Sequence, residues 1–297
     1  MTPGEQGFLL LASHLGDPER KCLTPAQFRE LSRRVTTAEP CQELRQLEQK
    51  DLIALGYSRQ DAQRILFLLE QEDVLDGYLK QAKKLGCHVL TRLSPSYPQS
   101  LRNKLGPDAP VCLWYKGDLS ILAQKSISVV GNRIVRPESE VFSAEAGRQA
   151  ALQGFAVVSG NARGTDRIAQ RACLESGGQI IRILADCLSE HRETHRVLSV
   201  SEDSFDLPFS SHRALSRNRI IHALSPAVLV AQCDETRGGT WDGTQRNLRS
   251  GWSNVWCLQD QTDGIQELLR MGGQPLNLSD LSDLSALCQH GPNLFAY

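Results

Sequence analysis

Short runs of β-branched and other apolar residues alternate with helical segments through the second half of this 297-residue chain, and no other feature limits its fold as strongly. SISVV, FAVVS, QIIRIL, AVLVA and NVWCL, starting at residues 126, 155, 179, 227 and 254, each suit one strand. Between them, ESEVFSAEAGRQAALQG and TDRIAQRACLESGG carry apolar positions at three- and four-residue intervals. Strands apolar on both faces need cover on both faces, which predicts an α/β fold with a doubly wound, mainly parallel sheet. The two helices should stop at Gly154 and at Gly177 and Gly178, where glycine accepts the left-handed turn that ends a helix.

Upstream the period is helical throughout. FLLLASHL, PAQFRELSRRV, SRQDAQRILFLLEQ and VLDGYLKQAKKLG are broken by Gly or Pro and predict a small all-α module over residues 1–85. CHVLTR and PVCLWY are strand candidates around the helical YPQSLRNKL, leading into an α/β domain over 86–275. A tail at 276–297 has room for one short helix.

Composition excludes a global basic field. Lys and Arg number 33 against 34 Asp and Glu, a formal charge of -1, so an anion-binding surface has to be a local patch. The nine cysteines include no C-x-x-C pair, which argues against a zinc ribbon or a disulfide framework and for reduced thiols; no metal or cofactor is expected. Cys173 and Cys257 fall in apolar runs and read as core. No basic lead precedes FLLLASHL, and no run reaches the roughly 18 apolar residues of a membrane helix, so the expected location is cytoplasmic.

Each strand end carries polar, glycine-rich or cationic residues. Gly131, Asn132 and Arg133 follow the first strand, and Ser159, Gly160, Asn161, Ala162, Arg163, Gly164 follow the second. Arg217, Asn218 and Arg219 open the segment IIHAL before AVLVA, and RGGTWDGTQRN follows it. Glycines let backbone N–H groups approach a phosphate, and arginine adds a charged fork. In an open parallel sheet these clusters share the edge where ligands bind. Neither G-x-G-x-x-G nor G-x-x-x-x-G-K-[ST] occurs, which disfavours a standard dinucleotide or NTP cradle.

SISVVGNR, VVSGNARGTDRIAQRACLESGG and SRNRIIHALSPAVLVAQ, in that order and spacing, resemble the DNA-processing protein A family (DprA, also called Smf). The resemblance covers roughly residues 86–272, starting with SPSYPQSLRNKLGPDAPVCLWYKGDLSIL, and the N-terminal helices sit where members often carry a sterile-alpha-motif-like domain. It implies a Rossmann-like domain that binds single-stranded DNA without chemistry on it. It also implies a homodimer that hands strands to a RecA-type recombinase in natural transformation. By the same resemblance Gly131, Asn132 and Arg133 hold phosphates, Ser159, Gly160 and Arg163 shape the adjacent loop, Arg217 and Arg219 form a cationic rim, and Asn218 is a further phosphate contact. Gly238, Gly239, Thr240, Trp241 and Thr244 are candidate loop contacts, with Trp241 a candidate stacking surface in a polar loop; His222, Trp256 and Trp252 need separate readings, the first two as packed residues.

The chain departs from the family after QIIRIL, where Ala185, Asp186 and Cys187 replace a Gly-x-Gly turn, and after AVLVA, where GGTWDGT replaces Ser-Gly-Ser-Leu-x-Thr-Ala. It also lacks a counterpart of the family's winged-helix tail. These departures suggest a divergent branch, serving transformation or conflict with phage and mobile elements. GGTWDGTQRN is also similar to the Gly-Gly-x-Gly-Thr-x-x-Glu loop of nucleoside-monophosphate phosphoribohydrolases, but Asn247 stands where those enzymes carry the acid, and an amide cannot take a proton. The alternative that remains is a nucleotide sensor without hydrolase activity.

Overall fold

Apolar residues in the α/β half separate by strand parity. In a computed structural model describing residues 1–17, 19–37 and 47–289, Ile127 and Val129 face one hydrophobic cluster with Val157, Ala227 and Leu229. Their neighbours Val130, Val158, Val228 and Val230 face another. Alternation with period two thus builds a sheet with two dry faces.

The elements run α1 (Pro3–Ala12), α2 (Pro25–Thr37), α3 (Gln49–Ala54), α4 (Arg59–Leu69), α5 (Glu72–Lys84), β1 (His88–Thr91), α6 (Gln99–Leu105), β2 (Cys112–Gly117) and β3 (Ser126–Val130). They continue through α7 (Pro137–Leu152), β4 (Ala156–Ser159), α8 (Thr165–Glu175), β5 (Ile180–Ile183), β6 (Val197–Ser201), α9 (Ser211–Ser216), α10 (Asn218–Leu224) and β7 (Ala227–Val230). The chain then forms α11 (Gly239–Ser250), β8 (Asn254–Leu258), α12 (Asp263–Arg270), β9 (Gln274–Leu276) and α13 (Leu284–Gln289). Gly154 and Gly177 take positive φ just past α7 and α8, at +74° and +85°, as the sequence predicts.

Among the described residues the sheet has nine strands in the order β1-β2-β6-β5-β4-β3-β7-β8-β9. Pairings from β6 to β9 are parallel, while β2 joins β6, and β1 joins β2, antiparallel. The expected mainly parallel α/β fold is therefore present. Strands β6 and β9 were not expected, and the lead-in segments β1 and β2 extend the same sheet instead of preceding it.

The N-terminal helices bury Leu11, Leu31, Leu52, Ile65 and Leu68 among themselves. A further cluster joins Leu9 and Leu10 of α1 and Leu75 and Tyr78 of α5 to Trp114 of β2 and Phe205 beyond β6. Of the expected tail, 290–297 lie outside the described residues. Among those described, no helix is long and apolar enough to cross a membrane.

Candidate functional site

Strand β3 has β4 on one side and β7 on the other, the point where a doubly wound sheet reverses its winding and opens a crevice at the carboxyl ends of its strands. A cleft of about 680 Å³ lies there. Its walls include Gly131, Asn132 and Arg133 after β3, Arg217 and Asn218 at the start of α10, and Gly238, Gly239 and Thr240 at the start of α11. The sequence-predicted clusters therefore converge. Helix α11 opens at Gly238, φ +90°, with no side-chain cap, so the N–H groups of its first turn are left without helical partners at the cleft wall.

The loops around the cleft are held by close backbone packing. A Cβ on Gly164, whose φ is +86°, would lie 2.5 Å from the carbonyl oxygens of Asn132 and Arg133, so the β4 loop can pass the β3 loop only as glycine. Thr165 donates to Asn132 O through both its N–H and its Oγ1, each at 3.2 Å. Asn132 Nδ2 in turn donates to Asp234 Oδ2 at 2.6 Å, tying the β3 loop to the segment after β7.

Asp166 organises the β4 loop from inside. Its Oδ2 accepts from Gly160 N at 2.9 Å and from Ala162 N at 3.1 Å. Beside it lies the buried guanidinium of Arg217, which donates through Nη1 to Ile183 O at 2.7 Å and packs so closely under Gly160 that any Cβ there would collide with it. Burial pushes the Asp166 carboxyl up, against the pull of Arg217 and the two N–H donors. Burial likewise pulls the Arg217 guanidinium down, with Asp166 the first group opposing it.

Several sequence-predicted contacts are thus placed differently. The Gly160 N–H belongs to Asp166, and Ser159, fully buried, accepts from Gln170 Nε2 at 2.5 Å. Arg217 supports the loop from below. Arg219 is no rim cation: it forks onto Glu202 at 3.0 and 2.5 Å, with side-chain exposures of 15% and 7% for the pair, and donates to Asp108 O at 3.2 Å. Asn218 Nδ2 donates to Gly239 O at 2.9 Å, joining α10 to α11.

The stretch read as a polar loop is mostly helix α11. Trp241 is 7% exposed and sits in the sheet's core cluster, so it offers no stacking face. Thr240 Oγ1 donates to Gly131 O at 2.9 Å, and the fully buried Thr244 donates to Thr240 O at 2.7 Å. Asn247 is fully buried, with Oδ1 accepting from Ser253 N at 2.9 Å. Its amide therefore donates to His222 Nδ1 at 3.2 Å, which leaves the imidazole proton on Nε2. His222 and Trp256 are buried as read, and Trp252 packs partly buried against the core.

Exposed cations border the cleft. Arg133 and Arg163 face solvent, as does Arg167 on the first turn of α8, with half-buried Arg182 of β5 nearby. Among the described residues none of the four has a carboxylate partner; Arg167 donates to Asn161 O at 3.4 Å and Arg182 to Gln170 Oε1 at 3.3 Å. Sequence reasoning missed Arg167 and Arg182, although a lone arginine inside the apolar run QIIRIL was a signal.

Residues 88–283 match the family model described as DNA recombination-mediator protein A. The chain is 30% identical over 188 residues to Protein Smf of Escherichia coli K12, covering 60% of this chain and 49% of that protein. It is 30% identical over 184 residues to DNA processing protein DprA of Streptococcus pneumoniae R6, covering 56% and 64%. The chain thus spans about half to just under two thirds of the length of these relatives. In fold it is similar to the S. pneumoniae DNA processing protein A structure, with a TM-score of 0.73 at 23% identity over 95% of this chain and 98% of that one. DNA processing protein A from Helicobacter pylori, solved for its single-stranded DNA binding mode, gives a TM-score of 0.58 at 24% identity over 69% of this chain and 97% of that one. With the matched region spanning the whole sheet and every strand-end cluster, the chain belongs to the DNA recombination-mediator protein A family.

Proposed function

We propose that this protein binds single-stranded DNA through its phosphates, along the carboxyl edge of the sheet from the cleft across Arg133, Arg163 and Arg167 toward Arg182. One observation carries the reading: four arginines crowd one edge of a chain with formal charge -1, and among the described residues none has a carboxylate partner. Unpaired guanidinium groups brought together repel one another, and a polyanion removes that cost. The uncapped start of α11 adds backbone donors at the cleft. A single strand suits such a surface because its phosphates can follow an irregular path between loops.

Binding in this reading is not coupled to hydrolysis, since Asn247 is buried and its amide holds His222 in one tautomer. Family membership and the names of its DNA-processing relatives support a role in recombination; in this reading a homodimer delivers strands to a RecA-type recombinase. A mononucleotide in the cleft is the second reading, favoured by the cleft's volume of about 680 Å³. A fluorescence competition titration tests both. Unlabelled single strand should displace a labelled single strand at far lower concentration than duplex or AMP does; displacement by AMP at comparable concentration would favour the nucleotide reading, and preference for duplex would reject the single-strand one.

A further inference from the structure

Far from the strand ends, the loop from α1 to α2 brings a thiol and an imidazole together. Cys22 Sγ lies 3.5 Å from His14 Nε2 and 3.7 Å from Nδ1, with both residues half-buried. The loop that carries them is pinned: Leu23 N donates to Leu11 O at 2.7 Å, and Arg64 of α4 donates to Lys21 O at 3.0 Å and to Cys22 O at 2.8 Å. The Cys22 contact raises the His14 imidazole above its ordinary range, against the pull of burial, and so makes it a stronger base. Asp203, whose charge acts on His14 from the segment after β6, is committed to Arg213 at 2.7 Å.

His14 borders a groove of about 710 Å³ against α4 and α5, lined also by Arg20, Lys21, Arg64 and the exposed ring of Phe67. Among the described residues none of the three cations has a carboxylate partner, and Arg20 Nε, shut off from water, has no partner at all. Asp17 and Glu19 border the groove too, on its exposed outer turn, and leave the cations in excess. Nucleophile, base and a cation-lined space for a second reactant thus meet outside the proposed DNA track. The other half-buried thiols among the described residues are placed differently: Cys187 donates to Phe205 O at 3.5 Å, and burial pushes the Cys288 thiol up. We propose that Cys22 is a site of reversible S-thiolation by low-molecular-weight disulfides that carry carboxylates. His14 takes the thiol proton as Sγ attacks one sulfur of the disulfide. A new S–S bond forms at Cys22, the reagent's own S–S bond breaks, and its second sulfur leaves with the electron pair and takes the proton from His14. Cys22 is oxidised and half of the disulfide is reduced, so no further reactant is needed.

Timed tryptic digests of the full chain, incubated at pH 8 with glutathione disulfide or with the dication cystamine, test this by mass spectrometry, because trypsin releases Cys22 as the lone cysteine of peptide 22–29. Glutathione should add to Cys22 about tenfold faster than to Cys187 or Cys288, and dithiothreitol should remove it. Cystamine should react about fivefold more slowly than glutathione disulfide, the scale of one excess cation near the reagent. His14→Asn, with circular dichroism matching the parent, should slow both reagents about tenfold or more while keeping their ratio, as expected when a base is lost and the groove is not. Modification of Cys187 or Cys288 as fast as Cys22 in the wild type would overturn the site, a result that needs no variant to fold. Cystamine reacting as fast as glutathione disulfide would overturn the preference for carboxylates, and an unslowed, well-folded His14→Asn variant would overturn the pairing.

Discussion

Arg219 forks onto the Glu202 carboxylate at 3.0 and 2.5 Å and so clamps the start of α10 to the end of β6. With side-chain exposures of 15% and 7%, the pair is largely removed from water, and cutting it leaves a buried charge without its partner. Arg219→Ala should lower unfolding stability by about 3 kcal/mol in urea titrations. Its salt dependence of DNA binding, measured well below the melting temperature, should match that of the parent. A loss of slope with an unchanged melt would return Arg219 to the DNA-contacting surface.

Arg133 and Arg167 call for the opposite pattern, since both are exposed and neither has a carboxylate partner among the described residues. Each change to Ala should reduce the slope of log K against log salt by roughly 0.7, the value for one neutralised single-strand phosphate. The thermal melt should not move. Parental affinity and slope in the double variant would exclude this edge as a phosphate track.

Gly164→Ala adds a methyl group where the carbonyl oxygens of Asn132 and Arg133 already stand, in a left-handed conformation of φ +86°. Forcing the β3 and β4 loops apart should cost about 1–3 kcal/mol and weaken binding together with stability. A parental melt and parental affinity would mean that the two loops are not braced against each other.

His222 gives the fold a dependence on acid. Burial pushes its imidazole down to about 3, from an ordinary value of 6.5. The unfolded chain therefore takes up a proton that the folded one refuses. The contribution is fully present above pH 6.5 and is lost as pH falls toward 3, by at most about 1.4 kcal/mol per unit. Urea titrations at pH 7 and pH 5 should show the loss, and His222→Gln should flatten it even if that variant starts less stable. An equally steep loss in His222→Gln would assign the acid sensitivity elsewhere.

The apolar runs alternating with helical segments made the parallel sheet legible, and the polar punctuation after SISVV and FAVVS marked the edge proposed to bind DNA. Contacts distant along the chain were not legible. Arg219 reads as a free cation until β6 brings Glu202 to it, and β6 itself, VLSVS, carries two serines that dilute its apolar signal. The glycines of RGGTWDGTQRN imitate a loop. Gly243 instead makes room within α11 for His222, whose Nε2 would stand 2.9 Å from any Cβ there. Gly160 is similar, small because a guanidinium lies beneath it, a neighbour that enters the chain 57 positions later as Arg217.

The antiparallel pairing of β2 with β6 imposes an order on how the chain can assemble during synthesis. Trp114 sits across from Ser201, and the ring cluster of Tyr78, Trp114 and Phe205, with centroids 4.6 to 5.3 Å apart, draws on three distant parts of the sequence. Leu52, Ile65 and Leu68 can pack as soon as the first helices leave the ribosome. Helices α1 and α5 can cover one side of Trp114 at once, but its enclosure is not complete until Phe205 has been made, so throughout the intervening translation part of the indole stays open to water and to chaperones.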